Sequence, residues 1–418
     1  MLLRFSVANF RSFWREQQLS MIASSLKDDP TGLTEAPALR GEKLLPLAVI
    51  YGANASGKSN LLKALGFMLR TIWGSHKPGG PDTKIERNRF ALDPNGDTEP
   101  SRFCIEFLSE GVRYEYGFEA FEDRFKSEWL HWWPSGVRSI LFKRDRQEFN
   151  FGRSLNGRNL SLAKLTRPNS LFFSAAIQNN HPQLTKIDAF FSAFSSSSNV
   201  LPLFHRLHDF TDVGLGPRMV SFLESIATGI SSFQIDKRPS ESEIALMQTA
   251  KNFSMSDEWF DRGEAFLPRL RFGHRGSHGD ISFIDLKDES DGTQWLADKL
   301  GPILRVLDRG GVIAIDEFGA NIHTLAAEAI LGLFASKETN PKGAQLIVAT
   351  HDTNLLGSSH IRRDQVWFTE KNAGGATMLT PLTDIRTRKG DEIEKGYLQG
   401  RYGAVPFAHF DPSILKAD

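Results

Sequence analysis

The segment Leu47-Ala48-Val49-Ile50-Tyr51-Gly52-Ala53-Asn54-Ala55-Ser56-Gly57-Lys58-Ser59 constrains this chain more than any other. Its apolar half reads as a buried strand, a glycine-bounded loop follows, and Asn60 to Trp73 carries a helical pattern. G-x-x-x-x-G-K-[ST] between a strand and a helix is the pattern of a phosphate loop. Gly52 and Gly57 let the backbone bend so that successive N–H groups face an anion, and the helix start adds its positive dipole end. In that geometry Lys58 reaches the β- and γ-phosphates, and the Ser59 hydroxyl helps to hold Mg²⁺. Chance alone gives the pattern in roughly 2% of chains this long, and the correct flanks lower that figure. ATP with Mg²⁺ is therefore expected, bound by Gly52, Asn54, Ser56, Gly57, Lys58, Ser59 and Asn60.

A phosphate loop needs a sheet to carry it, and the rest of the chain supplies one. Leu3, Phe5 and Val7 alternate with polar residues, and Gln18 to Ala23 reads as the return strand of a hairpin. Residues 26–44 contain Pro30, Gly32, Pro37 and Gly41 and read as a loop. From Arg102 to Phe151 the period is two and aromatic residues abound, which predicts an antiparallel meander. Leu171 to Ala176 reads as a second buried strand that ends at Gln178. Residues 181–265 carry weaker helical patterns, at Leu184 to Phe194 and Met219 to Ala227. A strand pair around Gly273 to Gly279 leads to a helix with Leu296, Leu300, Ile303, Leu304 and Leu307 on one face. Val312 to Ile315 and Ala344 to Thr350 are short buried strands with a helix from Ile322 to Ala335 between them. Gln365 to Thr369 and Thr377 to Leu382 form a closing hairpin. The expected fold class is α/β, with ligands along the carboxyl edge of an open sheet. The expected division is an N-terminal lobe (1–180), a helical insert (181–280) and a C-terminal lobe (281–418). No heptad pattern persists for three repeats, so no long coiled coil is expected.

Phosphate binding alone does not say what happens to the phosphate. Asp316 closes an apolar strand, where a carboxylate for the Mg²⁺ shell is needed, and Glu317 beside it can polarise a water. A helix cap is the plain alternative for this pair. His351 directly follows another buried strand and is a candidate to sense the γ-phosphate, although a lone histidine is more often structural. Gln178, expected at a strand end, is a further candidate for Mg²⁺ or the attacking water, with Gln183 also available for that role. Ser290-Asp291-Gly292-Thr293 precedes a helix, so Ser290 and Gly292 form a second anion site or simply a helix N-cap.

Composition settles the setting. Fifty basic residues balance fifty acidic ones, so nothing global steers the chain to nucleic acid. Two local basic groups keep direct binding open: Arg138, Lys143, Arg144, Arg146, Arg153 and Arg158, then Arg269, Arg271, His274 and Arg275. A solvated strand face gives the same pattern. Cys104 is the only cysteine, which excludes a disulfide framework or a cysteine metal site. No apolar run approaches the ~20 residues of a membrane span, and the N-terminus lacks a secretory signal pattern. A soluble cytoplasmic protein is expected.

The order Asn9-Phe10-Arg11-Ser12-Phe13, phosphate loop with Asn54, Gln178, Ser-x-Gly signature, Ile315-Asp316-Glu317 and Thr350-His351 resembles the ABC-class heads of the RecF/SMC/OLD group. Tyr51 to Asn60, Ser174 to Asn180 and Lys395 to Gly403 make the chain more similar still to the RloA- and AbiL-like ATPases of phage defence. The resemblance implies an ABC-type ATPase head, ATP sandwiched between two heads of a homodimer or higher oligomer, and a separate effector, often a Toprim- or RloB-like nuclease. Ser290-Asp291-Gly292-Thr293-Gln294 departs from the Leu-Ser-Gly-Gly-Gln signature of transporter ATPases. Only 67 residues lie beyond His351, too few for a Toprim domain, so nuclease chemistry is expected in another chain. A RecF-like DNA-maintenance head and an ATP-binding scaffold without turnover are the alternatives.

Overall fold

Leu47–Gly52 is buried at every position, an environment found in the middle of a sheet covered on both faces. The computed structural model describes residues 1–26, 28, 32–77, 80, 82–196, 209–210, 212–236, 269–388 and 390–405. Strands β1 (Leu2–Ala8) and β2 (Gln17–Ser20) form the N-terminal hairpin, and β3 (Thr34–Glu35) with β4 (Lys43–Leu44) makes a small ribbon. β5 (Leu47–Gly52) then leads through the glycine loop into helix α1 (Lys58–Gly74). The meander follows as β6 (Ser101–Ser109), β7 (Val112–Ala120), β8 (Phe125–Trp133), β9 (Ser139–Asp145) and β10 (Glu148–Phe151). Helices α2 (Asn159–Leu165), α3 (Phe172–Gln178) and α4 (Leu184–Ser192) lead to strand β11 (Phe194–Ser196).

Beyond these come α5 (Gly216–Ser225), β12 (Ile230–Asp236), β13 (Arg269–Arg275), β14 (Ile281–Asp285) and α6 (Asp291–Arg309). The chain continues through β15 (Val312–Ile315), α7 (Thr324–Ala335), β16 (Gln345–Ala349), β17 (Val366–Lys371), β18 (Thr377–Pro381) and α8 (Ile393–Leu398). One six-stranded sheet has the order β11-β15-β16-β5-β17-β18. Its strands are parallel except β18, which pairs antiparallel with β17. A seven-stranded antiparallel sheet has the order β10-β9-β8-β7-β6-β1-β2. Its apolar face packs on helices: Phe103 lies 4.9 Å from Phe67 of α1, Phe107 stacks at 4.1 Å on Phe190 of α4, and Tyr116 meets Phe173 of α3 at 5.0 Å. One continuous core joins these residues to Ala48, Ile50, Val312, Ile347 and Ala349 of the parallel sheet.

The described chain divides into two compact units: residues 1–198, 306–320 and 327–418, and residues 199–305 with 321–326. Both large sheets belong to the first. The second holds the sheet β12-β13-β14, with Phe210 against Phe233 and Phe272 at 5.2 and 5.4 Å. The mixed α/β fold expected from the sequence is the one observed. The longest described helix, α6, has 19 residues, and no long coiled coil occurs among the described residues.

Several local expectations change. Leu171 to Ala176 is not a strand: helix α3 starts at Phe172. The run is buried all round, with Phe172 against Phe142, Phe149 and Phe151 and Phe173 against Tyr116 and Phe191, so no polar face reveals its period. Glu128 anchors the helix start by accepting from the Phe172 and Phe173 amides at 2.7 and 2.9 Å. Residues 26–44, read as loop, hold β3, β4 and a 3-10 turn at Pro37–Leu39. Residues 281–305, placed by the sequence with the C-terminal lobe, group with the second unit, and the insert contributes strands β11 and β12 besides helices. Residues 197–208 and 237–268, within the expected insert, lie outside the described residues apart from the boundaries given.

Candidate nucleotide site

In the parallel sheet β16 lies between β15 and β5, with Ala349 opposite Ile50 and Ile315 opposite Val348. The three strands therefore deliver the glycine loop, Asp316-Glu317 and Thr350-His351 to one carboxyl edge, where an α/β sheet binds its ligand. Cross-links hold the edge in shape. The Phe318 amide donates to the Ala349 carbonyl at 2.9 Å, the Thr350 hydroxyl to the Phe318 carbonyl at 2.6 Å, and the Thr350 amide to the Ile50 carbonyl at 3.1 Å.

Within the loop, Ser56 N–H donates back to the Ala53 carbonyl at 3.2 Å. The amides of Asn54, Ala55, Gly57, Lys58 and Ser59 have no hydrogen-bond partner among the described residues. Such a row of unpaired donors at a helix N-terminus fits a polyphosphate. Lys58 is buried and donates to the Gly52 and Ala53 carbonyls at 2.7 and 3.1 Å. Burial pushes its ammonium down to about 8, with Asp316 pulling the other way. The Ser59 hydroxyl donates to Asp316 Oδ1 at 3.0 Å, so the two side chains that would hold Mg²⁺ already share one point. Among the described residues no group of three or more His, Cys, Asp or Glu is placed to hold a metal, so the cation would lean on Ser59, Asp316 and the phosphates.

Glu317 is exposed, and its φ of 53° lies in the left-handed region that non-glycine residues avoid. Such strain is kept only where the surroundings enforce it. His351 is also exposed, and burial together with the Lys58 charge lowers its pKa, against smaller pulls from Glu317 and Asp316. That shift favours the neutral imidazole in the empty site.

Sequence reasoning missed the hydroxyls behind the loop. Thr369 of β17 donates to the Tyr51 carbonyl at 3.2 Å and lies 2.6 Å from Ser56 Oγ. Thr377 of β18 lies 2.7 Å from the Ser56 carbonyl and 2.8 Å from Ser12 Oγ, and Asn60 donates to Ser12 at 2.8 Å. One proton per hydroxyl fixes the direction: Thr377 donates to the carbonyl, Ser12 to Thr377, and Asn60 to Ser12. Ser56 and Asn60, expected to touch the nucleotide, thus spend their side chains on shaping the loop. A Cβ at Gly57 would strike the Thr377 side chain, and one at Gly52 the Thr369 carbonyl and hydroxyl, which is why both positions are glycine. Only three-dimensional pairing of residues more than 300 apart could reveal this. The segment Lys395 to Gly403 lies behind β5 too: Tyr397 stacks on Phe368 at 5.4 Å and meets Tyr51 at 5.8 Å.

Gln178 is not brought to this site. It ends helix α3 instead of a strand, is exposed, and donates to the Trp73 carbonyl at 3.2 Å. Trp73 is at the far end of α1 from Lys58, roughly 22 Å along a helix rising 1.5 Å per residue. The Ser290 hydroxyl accepts from the Thr293 amide at 3.2 Å, which is an N-cap on α6. Gly292 leaves no room for a side chain, since a Cβ would lie 2.6 Å from the Asn321 carbonyl. Both belong to the second unit.

Five of the ten residues in the two basic groups are committed internally. Arg144 is fully buried, donating to the Ser170 and Arg146 carbonyls at 2.5 Å and lying 3.6 Å from Glu128. Arg269 and Arg271 both pair with Asp285, at 2.9 and 2.8 Å, and His274 with Glu289 at 2.7 Å. Arg138 meets His131 at 2.8 Å and Glu115 at 3.7 Å.

A free-amide loop with a buried lysine, and an acidic pair at the same sheet edge with one strand between them, together define a P-loop ATPase domain. The chain belongs to the family described as "AAA domain, putative AbiEii toxin, Type IV TA system", which matches residues 47–357. Among solved structures it is similar to the Smc head bound to the C-winged helix domain of ScpA, with TM-score 0.44, 13% identity, and coverage of 91% of this chain and 97% of that one. It is also similar to the SMC head domain from Thermotoga maritima, with TM-score 0.38, 12% identity, and coverage of 91% and 98%. No curated protein matches the chain.

Proposed function

We propose that this chain is an ABC-class ATPase that hydrolyses ATP to ADP and phosphate in a nucleotide-gated dimer in the cytoplasm. In this reading it senses a signal and controls a separate effector, a Toprim- or RloB-like nuclease, in bacterial anti-phage defence. The observation that carries the reading is the Ser59–Asp316 contact at 3.0 Å beside the free-amide loop, with Glu317 next in the chain. The description of the family as a putative toxin of a toxin–antitoxin system supports the defence setting.

Each residue then has a task. Lys58 exchanges the Gly52 and Ala53 carbonyls for phosphate oxygens, and the free amides of Asn54, Ala55, Gly57, Lys58 and Ser59 take up the rest of the anion. Ser59 and Asp316 would hold Mg²⁺, which when bound would neutralise charge on the phosphates. Glu317 takes the proton from the attacking water, and His351 offers a hydrogen bond to the γ-phosphate. Ser290 and Gly292 of a second copy close the site, which makes dimerisation nucleotide-dependent.

The test is kinetic. Glu317→Gln should retain ATP while hydrolysis falls roughly 10²–10⁴-fold, whereas Lys58→Ala should lose nucleotide affinity. Phosphate release and equilibrium binding measured on both variants separate the roles. Wild-type turnover in Glu317→Gln would remove the general-base assignment.

A further inference from the structure

Strand β10 is one of the two edge strands of the seven-stranded sheet, opposite β2. Gly152 donates its amide to the Leu141 carbonyl at 2.8 Å, one step beyond the Phe151–Phe142 pair. Hydrogen-bonded and non-bonded pairs alternate along an antiparallel ladder, so Glu148 and Asn150 bond to β9. Phe149 and Phe151 consequently turn their N–H and C=O groups to the open edge. No hydrogen bond to those groups occurs among the described residues. Beside the edge runs a groove of about 660 Å³, lined by Phe149, Phe151, Arg158 and Leu160 among others. Leu160 and Leu165 on α2 leave 72% and 60% of their surface exposed.

Charge selects the occupant. From residue 148 to 187 the chain has Arg153, Arg158, Lys164, Arg167 and Lys186 against one carboxylate, Glu148 at the start of β10. Arg153, Arg158 and Lys164 are exposed and make no ion pair among the described residues. A nucleic-acid strand would want free aromatic faces for its bases. Here the ring of Phe149 has the Arg144 guanidinium at 5.1 Å and Phe151 stacked at 6.0 Å, and Phe172 packs on both rings. What the site offers is a row of main-chain donors and acceptors, an apolar wall and positive charge.

We propose that the free edge of β10 takes up an extended acidic segment of a partner protein as an added strand. Main-chain bonds to Phe149 and Phe151 supply the pairing, Leu160 receives an apolar side chain, and Arg153 and Arg158 select carboxylates on the incoming segment. Such pairing would also cover an edge that is otherwise open to indiscriminate strand addition.

Fluorescence anisotropy on the full chain tests this with a short fluorescein-labelled peptide of alternating Glu and Val. Binding should weaken at least about tenfold when alternate peptide amides are N-methylated, because that blocks strand pairing and leaves the protein untouched. The exposed-site variants Arg158→Glu and Leu160→Asp should weaken it likewise. The proposal is overturned if the Glu/Val peptide does not bind, or if its N-methylated form or a Lys/Val peptide binds equally well. Arg158-dependent binding of labelled oligo(U) in place of the peptide would overturn it too, in favour of nucleic acid.

Discussion

Lys58 is the residue at which burial and function pull hardest against each other. Its ammonium, pushed down to about 8 from the ordinary 10.5, is charged below that point in native and unfolded chains alike, so the cost of burying it is fully present there. Between about 8 and 10.5 the unfolded chain holds the proton and the empty native protein does not, so this group stabilises the fold as pH rises through that window. A bound polyphosphate favours the charged form and reverses the preference. ATP binding should therefore take up a proton above pH about 8 and weaken by up to about tenfold per pH unit. Calorimetry in buffers of different ionisation enthalpy measures this; flat affinity without proton uptake would mean that Lys58 does not meet the phosphates. Thr377 gives a second residue-scale prediction. Thr377→Val leaves the buried Ser56 carbonyl unpaired, at a cost of about 1–3 kcal/mol, while Thr377→Ser keeps the bond. The KM for ATP should rise in the first variant and recover in the second. Equal KM values in both would show that the hydroxyl does not set the loop.

At the scale of elements, helix α3 shows how a short segment is held where its own propensity is too weak. Seven residues are well below the length at which an isolated helix is stable in water. Glu128 on β8 supplies the missing partners: its carboxylate accepts the first two amides of α3 and the Tyr116 hydroxyl at 2.9 Å, with Arg144 nearby. Burial raises its pKa while Arg144 and these donors lower it, so the carboxylate depends on the whole set. Glu128→Ala would strand the Arg144 charge in the core and should destabilise the protein by about 3–5 kcal/mol. Glu128→Gln, which keeps an acceptor, should cost less. Denaturant midpoints at unchanged slope measure both, and a near-neutral alanine variant would refute the anchoring role. The elements that the sequence reveals well are those with one wet face. β6 to β10 alternate visibly, and α6 carries its leucines on one side. Leu171 to Ala176, dry all round, has no such mark.

For the whole molecule the decisive prediction concerns assembly. Glu317→Gln with ATP should show a dimer or higher state by light scattering, and Ser290→Ala should weaken that state. As a helix cap alone, Ser290 would affect stability by about 1 kcal/mol and leave association unchanged. A strict monomer with ATP bound would remove the composite site. Gly292 is a poor probe, because any side chain there meets the Asn321 carbonyl. The sequence by itself determined the phosphate loop, the α/β class, the antiparallel meander and the Asp316-Glu317 and His351 positions. Each is written locally, in a spacing or in an apolar run ending in a polar residue. Only the tertiary structure decided that Gln178 stands far from the loop, that Arg144 is an internal ion, and that Ser12, Thr369 and Thr377 shape the phosphate loop. Those facts depend on which distant segments meet. A buried hydroxyl or guanidinium leaves no local pattern, because its role is set by the partner that the fold brings to it.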